Sequence, residues 1–149
     1  MTYRGYDISE LAEHATFEEV AYLILYGDLP NQATLDAYRK KLKTLRGLPE
    51  ELKEVLERIP SNTHPMDVMR TGCSMLGNLE PETDFEQQNE VADRLLGVLP
   101  SIINYWYRFS HDGVRIDVET DADSIAAHFL ETLFGDASNE TFCRSWTCL

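Results

Sequence analysis

The feature that most constrains this chain is a long apolar helical pattern from Phe85 to Gly113. Its apolar side chains recur every three or four residues, the spacing of one helix face: Ala92, Leu95, Leu99, Ile102, Trp106 and Phe109. Further apolar residues fill the other faces, so the helix has to be buried on nearly all sides. At about 1.5 Å per residue it would be roughly 40 Å long, wider than the core of a small domain. We therefore expect a partner to cover part of it, or the chain to be a piece of a larger fold.

The composition describes one globular domain without affinity for polyanions. The chain has 149 residues, of which 43% are hydrophobic, and its formal net charge is −13. That length is typical of a single domain with a proper core. Because no basic footprint is present, neither nucleic acid nor an anionic membrane surface is an expected partner.

The lack of a recognisable targeting signal and the spacing of the cysteines predict a reducing compartment. The start of the chain lacks the charged and apolar regions of a secretory signal, and no apolar run is long enough to span a bilayer. Cys73, Cys143 and Cys148 are an odd number without framework spacing, so we expect free thiols. The predicted location is the cytoplasm, or the mitochondrial matrix if the gene is eukaryotic.

Start and stop signals predict a mainly α architecture of about seven helices with minor extended segments. Asp7 with Glu10, and Thr16 with Glu19, have the spacing of capping boxes. Asn31 and Pro65 have the residue types of helix starts, and the latter begins a helix over Pro65–Asn78. The other predicted helices are Ile8 to about Ala15, Phe17 to Gly27, Gln32–Arg46, Glu50–Ile59, Phe85–Gly113 with a kink at Pro100, and Ala122–Phe134.

Acidic residues alternate at 117, 119, 121 and 123, which superficially resembles a calcium-binding loop. The pattern fails because Ala122 stands where the loop needs glycine and His128 stands where it needs a bidentate glutamate. Carboxylates at a helix N-terminus, where the dipole favours them, explain the run. We predict no metal site.

Histidine and cysteine spacing predicts no catalytic or cofactor-binding residue. The histidines are scattered and form no metal-ligand pair: His14, His64, His111 and His128. Cys143 and Cys148 lack the second pair that a zinc site requires. A Cys–His nucleophile pair stays open, but nothing marks Cys73 as activated, and a packed core thiol is the simpler interpretation.

Three segments of the chain resemble the citrate synthase family. They are TYRGYDISELAEHATFEEVAYLILYGDLP, SNTHPMDVMRTGCSMLG and INYWYRFSHDGVRIDVETDADSIAAHFLETLFG, which occur in the family's order. The details HPMDVMRTG, YWYRFSHDG and ETDADSIAAHFL are most similar to the 2-methylcitrate synthase branch. The resemblance covers Thr2 to about Gly135 and implies that 1–135 is the N-terminal part of that family's large helical domain.

The resemblance implies a chemistry whose residues this sequence does not contain. The family condenses an acyl-coenzyme A, propionyl-coenzyme A or acetyl-coenzyme A, with oxaloacetate. An Asp removes a proton next to the thioester, and two His assist. These groups lie in His-Gly-Gly, Gly-His and Asp-Pro-Arg segments, and none of those strings occurs here. We expect the chain alone to be inactive, with no tightly bound cofactor, and His64 to have a structural role at a helix start.

Two further expectations follow from the resemblance. In the family the helices corresponding to Pro65–Asn78 and Phe85–Gly113 pack against their two-fold mates, which predicts a homodimer and would cover the long helix. The segment 136–149 resembles nothing in the family's continuation, so we expect a disordered tail or the product of a truncation or frameshift. A non-catalytic dimerisation or interaction module derived from a citrate synthase is the alternative function.

Overall fold

The computed structural model describes residues 1–135, which form seven α-helices, one 3₁₀ turn and a two-stranded hairpin. The prediction for 136–149 lies outside the described residues. In chain order the elements are β1 (Thr2–Tyr3), β2 (Tyr6–Asp7), α1 (Ile8–His14), α2 (Phe17–Tyr26), α3 (Gln32–Thr44), α4 (Glu50–Glu57), α5 (Pro65–Leu79), the 3₁₀ turn (Phe85–Gln87), α6 (Gln88–Asp112) and α7 (Ile125–Phe134). The mainly α prediction is confirmed for these residues.

Local capping signals define most helix ends. The box of Thr16 and Glu19 forms at the start of α2, and Asn31 caps α3 by accepting from the Thr34 N–H at 2.9 Å. His64 caps α5 because its Nδ1 accepts from the Met66 N–H at 3.2 Å, which confirms its structural role. The predicted box at Asp7 is wrong. Asp7 instead accepts from the N–H of Ser9, two residues on, at 2.8 Å.

Several helix ends differ from the predicted ones, because a residue near the end makes a hydrogen bond that was not predicted. The third helix ends at Thr44 rather than Arg46, because the Arg46 side chain is turned inward to bond a loop 74 residues away. The last helix begins at Ile125 rather than Ala122, because Ser124 caps it by accepting from the Ala127 N–H. The long helix begins with a 3₁₀ turn, and its α-helical part continues unbroken through Pro100.

The long helix α6 is buried unevenly along its length. Its C-terminal half enters the main hydrophobic core, where Ile102 and Trp106 are at most 2% exposed and pack with residues of α4 and α5. The Trp106 indole N–H donates to the Ile59 carbonyl at 3.3 Å. Its N-terminal half has buried positions at Asp93 and Gly97, but its leucines 95, 96 and 99 are only partly buried. The expectation of incomplete cover therefore applies to the N-terminal half.

A second, smaller cluster lies under the hairpin. Leu11, Val20 and Leu23 are buried together, with Tyr3 packed against them. The hairpin turn is tight because Arg4 and Gly5 both have positive φ, of 49° and 97°. The Arg4 guanidinium donates to the Ile24 carbonyl at 3.0 Å and so ties the turn to the end of α2.

Candidate functional site

A buried carboxylate joins three helices. Asp93 on α6 is fully buried, and its Oδ1 accepts from the Tyr38 hydroxyl at 2.8 Å. Its Oδ2 accepts from the Tyr26 hydroxyl at 2.6 Å and from Lys41 Nζ at 2.5 Å. Burial and the bonds to Asp93 raise the pKa of both tyrosines, and the hydrogen bond to Asp93 raises the pKa of Lys41. All three donors therefore keep their protons at neutral pH.

Asp93 is enclosed by its own helices and is not placed to act on a bound substrate. Both of its oxygens accept from groups of the chain itself, and the residue is 0% exposed, so a substrate cannot come within hydrogen-bond distance of the carboxylate in this arrangement. The cluster stabilises the junction of α2, α3 and α6. In the sequence, the available signal of this cluster is an Asp inside an apolar helix pattern, and we did not predict the cluster from it.

A second polar cluster anchors the acidic loop before α7. Arg46 is only 2% exposed, and its guanidinium donates to the carbonyls of Thr120 at 2.9 Å and Ser124 at 3.3 Å. The side chain of Glu18, also buried, accepts from the Ile125 N–H at 2.8 Å. These bonds position the start of α7 from α2 and from the loop that follows α3.

His128 belongs to the same cluster and is the one buried histidine of residues 1–135. Its Nε2 lies 3.0 Å from Ser101 Oγ, and its Nδ1 lies 2.8 Å from Thr120 Oγ1. Burial, with a contribution from the Arg46 charge, lowers the pKa of His128 to about 4. The imidazole is therefore neutral at pH 7 and sealed from solvent, which suits a structural bridge and not a proton shuttle.

This bridge predicts acid sensitivity. An unfolded histidine titrates near 6.5, so between that value and about 4 the unfolded state binds more protons, and stability falls as pH falls. We expect His128 to account for a loss of about 2 kcal/mol between pH 7 and pH 5. Urea unfolding followed by circular dichroism should show a smaller acid-dependent loss in His128→Asn than in the parent. An equal loss in both would contradict the prediction, and His14→Asn, at an exposed site, is the control.

The other histidines and Cys73 have separate local environments. His14 and His111 are exposed, and the His111 ring stacks on Tyr107 at a centroid distance of 4.4 Å. Cys73 is half-buried, and burial raises the pKa of its thiol, which disfavours the reactive thiolate. Cys143 and Cys148 lie outside the described residues.

The acidic run is held by internal contacts. The Asp117 carboxylate accepts from the Glu119 N–H at 2.9 Å. Lys43 pairs with Asp123 at 2.6 Å, and its hydrogen bond lowers the pKa of that carboxyl. Within residues 1–135, no group of three or more His, Cys, Asp or Glu side chains is arranged to hold a metal ion. The same residues contain no helix both long and apolar enough to cross a bilayer.

A concave apolar surface, which we call the α2–α6 groove, lies between those two helices. It has a volume of about 380 Å³. Its lining is almost entirely apolar: Tyr3, Phe17, Val20, Ala21, Ile24, Leu25, Ala92, Leu95, Leu96 and Leu99. A second cavity of about 600 Å³ lies between α5 and α6. Cys73, Leu76 and Val91 form part of its apolar wall, and the ion pair of Arg94 with Glu80, at 2.8 Å, borders it.

Comparison with known proteins identifies the family. The family model described as citrate synthase, C-terminal domain, matches residues 1–147. The chain is 72% identical over 137 residues to 2-methylcitrate synthase of Shewanella oneidensis, a match that covers 92% of this chain and 36% of the relative. It is 47% identical over 132 residues to a citrate synthase-related protein of Dictyostelium discoideum, covering 88% of this chain and 32% of that relative. The chain thus spans about a third of the length of these curated relatives.

Solved structures have the same fold. Citrate synthase from Thermotoga maritima superposes with a TM-score of 0.83 at 34% sequence identity, over 98% of this chain and 37% of that chain. Citrate synthase from Thermoplasma acidophilum superposes with a TM-score of 0.84 over 97% of this chain and 38% of its own; at 20% identity this match bears on the fold alone. The family match over nearly the whole chain and the shared helical fold lead to one conclusion: this chain belongs to the citrate synthase family.

Proposed function

We propose that this chain forms the N-terminal helical part of an acyltransferase of the 2-methylcitrate synthase type. The reaction would condense propionyl-coenzyme A or acetyl-coenzyme A with oxaloacetate. The observation that supports this most directly is the 72% identity to the Shewanella oneidensis 2-methylcitrate synthase, against 34% to the Thermotoga maritima citrate synthase. The acyl-coenzyme A would be a substrate, without a tightly bound cofactor, and the free thiol of Cys73 suits a cytoplasmic location.

In this proposal residues 1–135 contribute scaffold and not catalytic groups. The reaction needs a carboxylate free to remove a proton and imidazoles that can reach the substrate. Asp93 is fully buried and accepts from three donors of the chain, and His128 is fully buried between Ser101 and Thr120. His64 is engaged as a helix cap. These three groups are thus committed to holding helices together, which supports inactivity of the chain alone.

A thiol assay tests the proposed function. The purified chain, incubated with propionyl-coenzyme A and oxaloacetate, should release no free coenzyme A above the rate without protein. The Shewanella oneidensis 2-methylcitrate synthase, assayed in parallel, is the positive control. Turnover by this chain alone would refute the proposed scaffold role and would require a catalytic constellation among its own residues.

We also propose a homodimer through the α5 and α6 helices. The solvent side of α5 presents Met66, Arg70, Ser74 and Gly77, all exposed. Small residues at Ser74 and Gly77 would let a second helix approach closely, and the adjoining cavity beside Cys73 would receive its side chains. Trp106 is enclosed within the core of one chain, so it supports the fold and not the seam.

Gly77→Gln tests this seam with little effect on the single chain. A Cβ at Gly77 meets no atom within 4 Å, and Gln is a better helix former than Gly, so the monomer should fold as before. We expect sedimentation velocity to show at least a tenfold weaker dimer. Thr71→Gln, at an exposed position about 120° around the same helix, is the matched control. A dimer of parental strength in Gly77→Gln would exclude this face.

The second candidate function is a non-catalytic interaction module derived from a citrate synthase. The exposed face of α5 and the open α2–α6 groove favour it, because both are surfaces suited to contact with another polypeptide. The two candidates differ in whether a complex containing this chain gains activity. A module of this kind would associate and yet leave coenzyme A release unchanged.

A further inference from the structure

We propose that the α2–α6 groove is the docking site for a helix from the part of a citrate synthase chain that follows the region matched here, and that it can accept this helix from a separate polypeptide. The inference rests on the proposed function, because it takes the chain to be one section of that larger fold. It goes further by naming the surface, its occupant and the possibility of assembly in trans.

The groove has the chemistry of a protein interior. None of its ten lining side chains carries a charge at neutral pH. Small ligands such as oxaloacetate or the phosphates of coenzyme A would find no cation there to offset their charge, so substrate binding is disfavoured. The lining suits an apolar side-chain stripe instead.

Its walls are not fully buried by the chain itself. Ile24 is 43% exposed, and Leu25, Leu96 and Leu99 are partly exposed. The α2 helix has apolar residues on two sides: Val20 and Leu23 fill the cluster under the hairpin, while Phe17, Ala21 and Ile24 line the groove. A surface helix normally needs only one apolar stripe, so the second stripe indicates a further packing partner.

The shape fits one helix. The lining positions extend over nine residues of α2, from Phe17 to Leu25, and over eight of α6, from Ala92 to Leu99. At 1.5 Å per residue each wall is about 12 Å long, which accommodates two to three turns of a helix packed by ridges into grooves. An apolar stripe with i, i+3, i+4 spacing would fill it.

The occupant follows from the length of the relatives and from the position of the proposed homodimer contact. Almost two thirds of the Shewanella oneidensis relative and of the Thermotoga maritima structure lie outside the matched region, so a whole family member has ample further chain to cover this surface. A second copy is a weaker candidate, because the homodimer proposed above places its contact on the exposed face of α5, and no residue of α5 lines this groove.

Coexpression provides the test. The chain is produced together with the portion of the Shewanella oneidensis 2-methylcitrate synthase that follows the matched region, and the complex is measured by affinity capture and sedimentation velocity. We expect a one-to-one complex that Ile24→Asp weakens at least thirtyfold. Val114→Asp is the matched control, because Val114 is also a β-branched residue, is 42% exposed and lies outside the groove.

A second measurement does not depend on the folding of a variant. A photoreactive benzophenone side chain at position 24 should crosslink to the downstream portion, and one at position 114 should not. Absence of any complex, or a complex that Ile24→Asp does not weaken, would overturn the inference. Loss of self-association alone in Ile24→Asp would assign the groove to a second copy. If the complex forms through the groove but releases no coenzyme A from propionyl-coenzyme A or acetyl-coenzyme A with oxaloacetate, the proposed function fails while the docking site stands.

Discussion

Gly97→Ala is expected to lower the free energy of unfolding by about 2–3 kcal/mol. The added Cβ would lie 2.9 Å from Leu45 Cβ, 3.0 Å from the Leu45 carbonyl oxygen and 3.1 Å from the Leu42 carbonyl oxygen. Two of these neighbours are backbone atoms at the end of α3, so neither can move aside by rotating a side chain. The helices α3 and α6 would have to separate, and the nearby bonds to Asp93 would lengthen with them.

Urea unfolding of Gly97→Ala, followed by far-ultraviolet circular dichroism, measures this cost. Gly77→Ala is the control on another helix, where an added Cβ meets nothing within 4 Å and should stabilise by about 0.5–1 kcal/mol. Gly72→Ala provides a second packed case, because its Cβ would lie 2.7 Å from Cγ2 of Ile102, a side chain of the fully buried core. Equal stability of Gly97→Ala and the parent would show that α3 does not hold its position against α6.

Asp93→Asn is expected to destabilise the fold by about 3 kcal/mol. The carboxylate accepts from three donors, and the amide would present its own NH₂ to at least one of them, which leaves at least one of these donors without an acceptor. The volume is unchanged, so the effect reports on polar contacts and not on a cavity. Lys41 is half-exposed and can turn to solvent, so most of the cost should come from the two tyrosines.

A double-mutant cycle separates these contributions. Tyr38→Phe, Asp93→Asn and the double variant are unfolded in urea, and we expect a coupling of about 1–2 kcal/mol between the two sites. Asp36→Asn, at an exposed position of α3, should leave stability within about 0.5 kcal/mol of the parent. A coupling near zero would contradict the hydrogen bond between Tyr38 and Asp93 as a stabilising contact.

The helices were predictable because their signals are local. The Thr16–Glu19 box, the Asn31 cap and the Pro65 start each act within four residues, and each is confirmed. Apolar periodicity correctly predicted one long helix in this region, and it correctly gave Ile102 and Trp106 as core positions. It could not divide that helix into a covered and an uncovered half, because cover depends on which other helices reach it.

The polar clusters were beyond local prediction. Tyr38 reaches Asp93 across 55 residues, and Arg46 reaches Thr120 across 74. In the sequence, Asp93 is an acidic residue within an apolar helix, and Arg46 is a basic residue at the end of a basic helix. Charged residues of both kinds are usually exposed to solvent. The environment of His128 was not predictable either. Its spacing from the other histidines indicates no partner, whereas in the fold it lies between Ser101 and Thr120.

The sequence by itself determined the helical architecture, the main breaks between helices and the family, because each depends on residues read in order along the chain. The tertiary structure decided which side chains are enclosed, which histidine loses its affinity for protons and which part of α6 stays open beside α2. The physical reason is that burial and desolvation are properties of a position in three dimensions, set by neighbours distant in sequence. The apolar pattern of the long helix predicted that other elements must pack against it. Only the arrangement of the helices shows which half of it remains partly exposed.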